Sequence, residues 1–572
     1  MRLACLLALA AAPLFADLAD DTVAAAQAKL RTFAPVTLPA GGAALTTEQS
    51  ITAADLAAVD LDADPPTCRP PAKPYEANMA DGFVGGTAPY VVPGLRPFRL
   101  RQFTAELSYT GWHNFNLFEY GLTHGFSVLA PYIMKERDHL PAGSTWLKWG
   151  DFCDWPAFLR DRGIAEGRWD LLADRDVAGE LLASGKGWPA EPNSIAMIDL
   201  EHGQALSPEQ LRTQPWYPKT DGAAFEAKYY RGYLLTYTAP IEALRRAGWK
   251  QVGIYPQPYG SGWYDLLGRW DRKQPCLPDP ATHWPWQAYG RAFCDAQDVL
   301  YPDYYVYYWS RQNVAYTLAR LDFDRVLVGS LAKPKPIRPY FWTLLHGGDA
   351  DHHWWSNQPM PNEDARAMFA LAMFGGADGA VLWNWSDVGS HHAPPPLWEK
   401  DHGCEVMVGE DFEAGGGKFR RYDVLAVNSY DQATGQVGFE HIDTRRETGG
   451  KLRDDQRPRY TAHRDAIVPH LRATSDAVQG VVEGLALVKL FEPLLRAGQV
   501  MVDVPAAEQF VKTLPIVRRV KLGRVNLIAT YDPLCVQSDA PGRPVTLTNF
   551  DGRAGCTLAL PADAQLRLYV VR

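Results

Sequence analysis

The chain has 572 residues, 47% of them hydrophobic, and a formal charge of -9. That length exceeds one ordinary core, and an acidic balance without a basic run excludes the electrostatic footprint of a nucleic-acid binder. Past residue 16 no stretch approaches the roughly 20 uninterrupted apolar residues of a membrane span.

In chain order, Met1-Arg2-Leu3, an apolar run to Phe15-Ala16 and the acidic Asp17-Leu18-Ala19-Asp20-Asp21 form the pattern of a secretory signal peptide over 1–16. This predicts a secreted or periplasmic protein. Residues 17–95 are rich in Ala, Pro and Asp, with Pro65-Pro66, Pro70-Pro71 and Pro74 close together, and read as an irregular arm wrapping the next domain. Helix and strand patterns then alternate. Strands are predicted from Gly125 to Ala130, along the apolar run ending at Asp199, from Gln251 to Tyr255 and from Asp298 to Tyr308. Three more are predicted at Arg325 to Gly329, Pro339 to Leu345 and Gly379 to Trp383. Helices are predicted around Val177 to Leu182, Ala227 to Ala247, Gln312 to Leu321 and Glu363 to Phe374.

This alternation, at this length and without a glycine-rich phosphate loop, predicts an α/β chain with a (β/α)8 TIM-type barrel over 96–498. A polar, irregular insertion is expected at about 404–460, and Val468 to Ala497 as the closing helix. Short strands between Asp/Gly/Pro turns over 499–572 predict a small C-terminal β-sandwich, more naturally packing support than a sugar-binding module. No close Cys-x-x-Cys pair occurs, so a zinc ribbon is not expected; Cys276 with Cys294, and Cys535 with Cys556, are candidate disulfides.

The chemistry concentrates where Asn193-Ser194-Ile195-Ala196-Met197-Ile198 ends in Asp199-Leu200-Glu201. Side chains alternate along a strand, so Asp199 and Glu201 share a face with Ile195 and Met197. In a barrel of parallel strands the carboxyl end carries the active site, and two adjacent carboxylates cannot both ionise freely. The pattern predicts that one is pushed toward a raised pKa, and a carboxylic acid kept protonated near neutrality is a general acid. An isolated Asp-x-Glu is more often a solvated strand end; its surroundings shift that balance.

Those surroundings are aromatic. The chain carries 19 Trp and 26 Tyr, and many fall at predicted strand ends, among them Tyr255, Tyr301, Trp309, Trp342, Trp383 and Trp385. Flat apolar faces with polar edges suit sugar rings, so these are the candidate substrate-binding residues of a polysaccharide site. Tyr304 and Tyr308 read as core. Asp349, Asp351, His352, His353, His391 and His392 have no spacing that defines a metal site, and no metal or other cofactor is expected.

Four segments in order resemble the hyaluronidase family of glycoside hydrolases: Ala196-Met197-Ile198-Asp199-Leu200-Glu201, Ile254-Tyr255-Pro256-Gln257-Pro258-Tyr259, Leu300-Tyr301-Pro302-Asp303-Tyr304-Tyr305, and Gly376-Ala377-Asp378-Gly379-Ala380-Val381-Leu382-Trp383. They cover residues 180–390. The resemblance implies retaining, substrate-assisted cleavage of a β-linked N-acetylhexosamine glycan, hyaluronan- or chondroitin-like. By it Glu201 is the general acid and Asp199 orients the acetamido nucleophile. Tyr259 and Tyr305 hold that group, and Trp383 floors its pocket. His202-Gly203-Gln204 depart from the family pattern, and a polyanionic substrate would need basic residues, for which Lys333, Lys335 and Arg338 are the candidates. The residues themselves leave two alternatives open. Glu106, Glu119 or Asp387 could be the protein nucleophile of another retaining glycosidase, or the chain could bind carbohydrate without cleaving it.

Overall fold

In the computed structural model, the short apolar strands between residues 98 and 383 assemble into a single sheet in which every pairing is parallel. The structure describes residues 17–31, 33–67, 94–108, 121–129, 144–150, 152–165, 167–184, 188–190, 193–201, 205–260, 275–306, 312–345, 360–383, 404–414, 417–431, 436–442, 467–535, 543–547, 550 and 555–572. The expected signal peptide, Glu119, Asp387, Trp309, Trp385, Tyr308 and the candidate metal residues Asp349, Asp351, His352, His353, His391 and His392 lie outside them.

After β1 (Ala43–Leu45) come β2 (Phe98–Arg99), β3 (Thr104–Leu107), β4 (His124–Leu129), β5 (Thr145–Gly150), β6 (Ser194–Asp199), β7 (Gln251–Tyr255), β8 (Val299–Leu300), β9 (Tyr340–Trp342) and β10 (Gly379–Trp383). The sheet order is β8-β7-β6-β5-β4-β3-β10-β9, with β2 beside β4. Parallel bridges Leu300 to Ile337 and Asp303 to Tyr340 join its two edges. The eight-stranded sheet curls on itself, with helices outside, as a TIM-type α/β fold. Among the described residues two strands are shorter than their sequences imply: from Asp298 to Val306 regular pairing is confined to Val299–Leu300, and from Pro339 to Leu345 to Tyr340–Trp342.

The outer layer follows helical periodicity. Helix α1 (Gly222–Arg246) buries Tyr229, Tyr233 and Tyr237, four residues apart, and the Tyr233 and Tyr237 hydroxyls lie 3.2 Å apart. Helix α2 (Asn313–Gly329) corrects the strand expected at Arg325 to Gly329. Its β-branched run reads locally as a strand, but α2 is buried on nearly every side, and that packing outweighs a propensity of a few tenths of a kcal/mol per residue. Asp324 accepts from Tyr304 Oη at 2.6 Å on the barrel side, while Asp322 accepts from Arg518 at 2.8 Å on the other. Helix α3 (Asn362–Phe374) packs against α4 (Ile467–Leu490), which also covers β4. The contact is close because Gly480 and Gly484 face α3, where added Cβ atoms would sit 2.2 Å from Asn362 O and 2.6 Å from Arg366 O.

Two expectations need correction. The stretch expected to be irregular at 404–460 contains β11 (Cys404–Ala414), β12 (Gly417–Asp431) and β13 (Gln436–Ile442), an antiparallel sheet in that order. The arm is not simply wrapped around the barrel. A helix spans 17–29, and Val36 and Ile51 bridge to Val571 and Leu568. The C-terminal strands are β14 (Gln499–Met501), β15 (Ile516–Leu522), β16 (Val525–Tyr531), β17 (Pro544–Leu547), β18 (Cys556–Ala559) and β19 (Arg567–Val571). They divide between a four-stranded sheet, β14-β15-β16-β19, and a three-stranded sheet, β1-β18-β17, completed by the arm.

One apolar cluster runs from Ala19 and Val23 of the arm through α1, α2 and α3 to Val520 and Leu527 of the C-terminal sheet. The same seam holds the Arg518–Asp322 pair and a 2.5 Å hydrogen bond from Tyr531 Oη to Asp364. Neither expected disulfide forms. Cys294 is a buried thiol donating to Tyr259 Oη at 3.1 Å, and Cys556 is a buried thiol in the C-terminal core. Among the described residues no helix is long and apolar enough to cross a membrane.

Candidate functional site

Strand β6 delivers the acid pair. Ile195 and Met197 lie inside the curled sheet, in a cluster with Val128, Leu147, Tyr255, Tyr301, Tyr305, Tyr340, Trp342 and Val381. Asp199 follows on the same face, half-buried and in register with Tyr255 of β7. The Leu200 amide still donates to Tyr255 O at 2.8 Å, so the strand continues to the rim, where Glu201 is exposed.

Around Asp199 the inward residues of four consecutive segments form a continuous aromatic belt. The Tyr255 ring lies 4.8 Å from Tyr340 and 5.9 Å from Tyr305. Tyr305 is 6.0 Å from Trp342, Tyr340 is 6.2 Å from Trp383, and Tyr301 meets Tyr340 edge-on at 5.8 Å. Tilted and edge-on contacts of this kind hold each ring through its neighbours. Burial raises the pKa of Tyr301, Tyr305 and Tyr340 well above the usual tyrosine value, with the Glu106, Tyr255 and Ser108 side chains beside them respectively. All three therefore present neutral hydroxyls at neutral pH. The Asp199 charge lies close enough to Tyr340 to add to its shift.

Thus Asp199, Tyr255, Tyr301, Tyr305, Trp342 and Trp383 come together, and Glu201 stands at the rim above them. Tyr259 does not join them. It lies four residues past β7, on the outer side of the barrel wall, edge-on to Trp286 and Phe293 and bonded to Cys294. Tyr304 also faces outward, as its core reading implies. Tyr340 and Ser108 join the site without having been chosen from the sequence. The signal for Tyr340 was its parity with Trp342 two residues on, whereas Ser108 carried none.

Beneath the belt, Glu106 of β3 is fully buried. Tyr301 Oη donates to both its oxygens at 3.2 Å, and Arg338 Nη1 donates to one at 2.5 Å. Burial lifts the Glu106 pKa, against the pull of Arg338. With both oxygens engaged and no exposed surface, Glu106 is poorly placed to attack a sugar. The expected basic groove also needs correction. Arg338 is committed to Glu106 inside the barrel. Lys335 donates to Gln297 O at 2.7 Å ahead of β8, and with Lys333 precedes β9, at the end of the sheet opposite Asp199.

No family model and no curated protein matches the chain. Solved structures of bee venom hyaluronidase are similar over part of it. One, in complex with a hyaluronic acid tetramer, has 19% identity and a TM-score of 0.26 over 35% of this chain. A second, the monoclinic form, has 16% identity and a TM-score of 0.27 over 36%. The chain spans 64% of the length of the first and 67% of the second.

Proposed function

We propose that the protein is an exported, endo-acting glycoside hydrolase that cleaves a polysaccharide containing β-linked N-acetylhexosamine. The observation that carries the reading is the placement of Asp199 within a belt of buried aromatic rings at the carboxyl end of a curled parallel sheet, with Glu201 at the rim two residues on. Glu201 protonates the leaving oxygen. Asp199 orients the acetamido group, whose carbonyl oxygen attacks the anomeric carbon as that bond breaks; water then opens the cyclic intermediate with retained configuration. Tyr305 contributes a hydroxyl to the reacting group, and Trp383 and Trp342 offer faces for sugar rings. Since Glu106 is engaged on both oxygens, an acetamido nucleophile accords with the geometry better than that carboxylate does.

The test is a screen of acetylated and deacetylated polysaccharides for new reducing ends, with proton NMR of the fresh product. Retained configuration and loss of cleavage on deacetylation are expected. Glu201→Gln should lower kcat by roughly 100- to 10,000-fold without changing the fold, because the amide has no proton to give. Cleavage at wild-type rate by that variant, an inverted product, or an unsaturated end absorbing in the ultraviolet would refute the reading.

A further inference from the structure

A barrel interior is ordinarily filled by branched apolar side chains. Here a charged pair lies in it, although removing two charges from water costs several kcal/mol per ion before their attraction offsets it. The pair reaches across β10, which separates β3 from β9 and presents Gly379 and Val381 on the inward face. Small side chains on the middle strand leave Arg338 room to meet Glu106. A second link crosses the same strand one layer higher, where Ser108 Oγ and Tyr340 Oη lie 2.7 Å apart. Glu106 with Ser108, and Arg338 with Tyr340, are each two residues apart, so the two links stack along the barrel axis.

From this stacking we infer that Glu106, Arg338 and Tyr301 are positioning residues, a buried polar strut holding Tyr340 and the aromatic floor beside Asp199 in one orientation. The inference rests on the glycosidase reading of that floor. Glu106 accepts from Tyr301 Oη through both oxygens, so the side chain cannot swing about its Cα–Cβ bond without breaking those bonds. Tyr301 then abuts Tyr340 edge-on, and Tyr340 in turn touches Tyr255 and Trp383. Apolar residues would fill the same volume without supplying direction. A reacting sugar feels the difference, since a misplacement of about 1 Å can cost on the order of 100-fold in rate.

The experiment compares the full chain with Arg338→Met, with the paired replacement Glu106→Leu/Arg338→Met, and with Tyr301→Phe, which removes only the strut's hydroxyl. Urea denaturation, kcat and KM are measured on a glycan that the wild type cleaves. Arg338→Met should lower stability, because it leaves a buried carboxylate without its cation, and the paired replacement should restore it. In both the paired variant and Tyr301→Phe, kcat should remain depressed about 10- to 100-fold while KM moves by less than about threefold. Wild-type kcat in Tyr301→Phe, or in a paired variant of wild-type stability, would overturn the strut. So would a change confined to KM. If the wild type cleaves no glycan, the functional reading fails separately. Near-ultraviolet circular dichroism then tests the strut, with a weakened aromatic signal expected in the paired replacement, which keeps every aromatic ring, and an unchanged one overturning it.

Discussion

Gly253→Ala adds a single methyl group to the barrel interior, and the structure shows what it would meet. An ideal Cβ at this position lies 2.5 Å from Tyr301 Cε2, 2.6 Å from Tyr301 Cδ2 and 2.6 Å from Val299 O. Carbon pairs are comfortable at roughly 3.5–4.0 Å, so the methyl overlaps the ring by about 1 Å. The ring cannot swing away freely because Glu106 holds its hydroxyl. The carbonyl belongs to β8, which pairs with β7 at this residue. Overpacking between a held ring and a paired strand should therefore destabilise the protein by about 3 kcal/mol, at the upper end of the usual range. The assay is the urea midpoint of the full chain, with the slope checked for constancy. Combining Gly253→Ala with Tyr301→Ala supplies an internal control. It relieves both ring contacts but not the carbonyl contact, so the two substitutions together should cost less than the sum of each alone. An unchanged midpoint in Gly253→Ala, or strict additivity of the pair, would refute this account of the barrel interior.

Tyr305→Phe should cost roughly 1–3 kcal/mol of transition-state stabilisation, while Tyr259→Phe should leave kcat within about twofold, since its hydroxyl meets Cys294 outside the barrel wall. Steady-state kinetics that reversed this order would show that the site lies elsewhere. Burial raises the Asp324 pKa to about 6, against the Tyr304 hydroxyl and the Arg320 charge. A folded pKa above the unfolded value of about 3.9 means that the folded state holds the proton more tightly; the stabilisation is complete below pH 3.9 and lost as pH rises through about 6. Two pKa units correspond to about 3 kcal/mol. Comparing urea midpoints of wild type and Asp324→Asn from pH 4 to 7 should isolate this loss, and a pH-independent difference between them would refute it.

Much of the helical layer and the strand carrying Asp199 were legible because their signals are local. Alternation along Ile195, Met197 and Asp199 gives their shared face wherever the strand goes, and the strand Gly379–Trp383 and the helix ending at Phe374 were likewise readable from periodicity. The misreadings share a physical cause. Arg325 to Gly329 has the composition of a strand, and only burial on nearly all sides of α2 makes it helix. Tyr259 looked equivalent to Tyr305 because both follow strands that end in tyrosine-rich turns. Past a strand end the alternation lapses, and the turn decides which side of the wall a ring occupies.

By itself, then, the sequence determined which segments alternate, where an apolar run ends in two acids, and that aromatic side chains gather at strand ends. Tertiary structure alone decided which distant residues meet. Glu106 and Arg338, 232 positions apart, become partners only because β3, β10 and β9 are adjacent strands of one curled sheet. The arm became part of the C-terminal sheets only through the pairing of β1 with β18 and the bridges to β19. Periodicity tells a side chain which face it occupies. It carries no information about what stands opposite, which is set by how the sheet closes and what then packs against it.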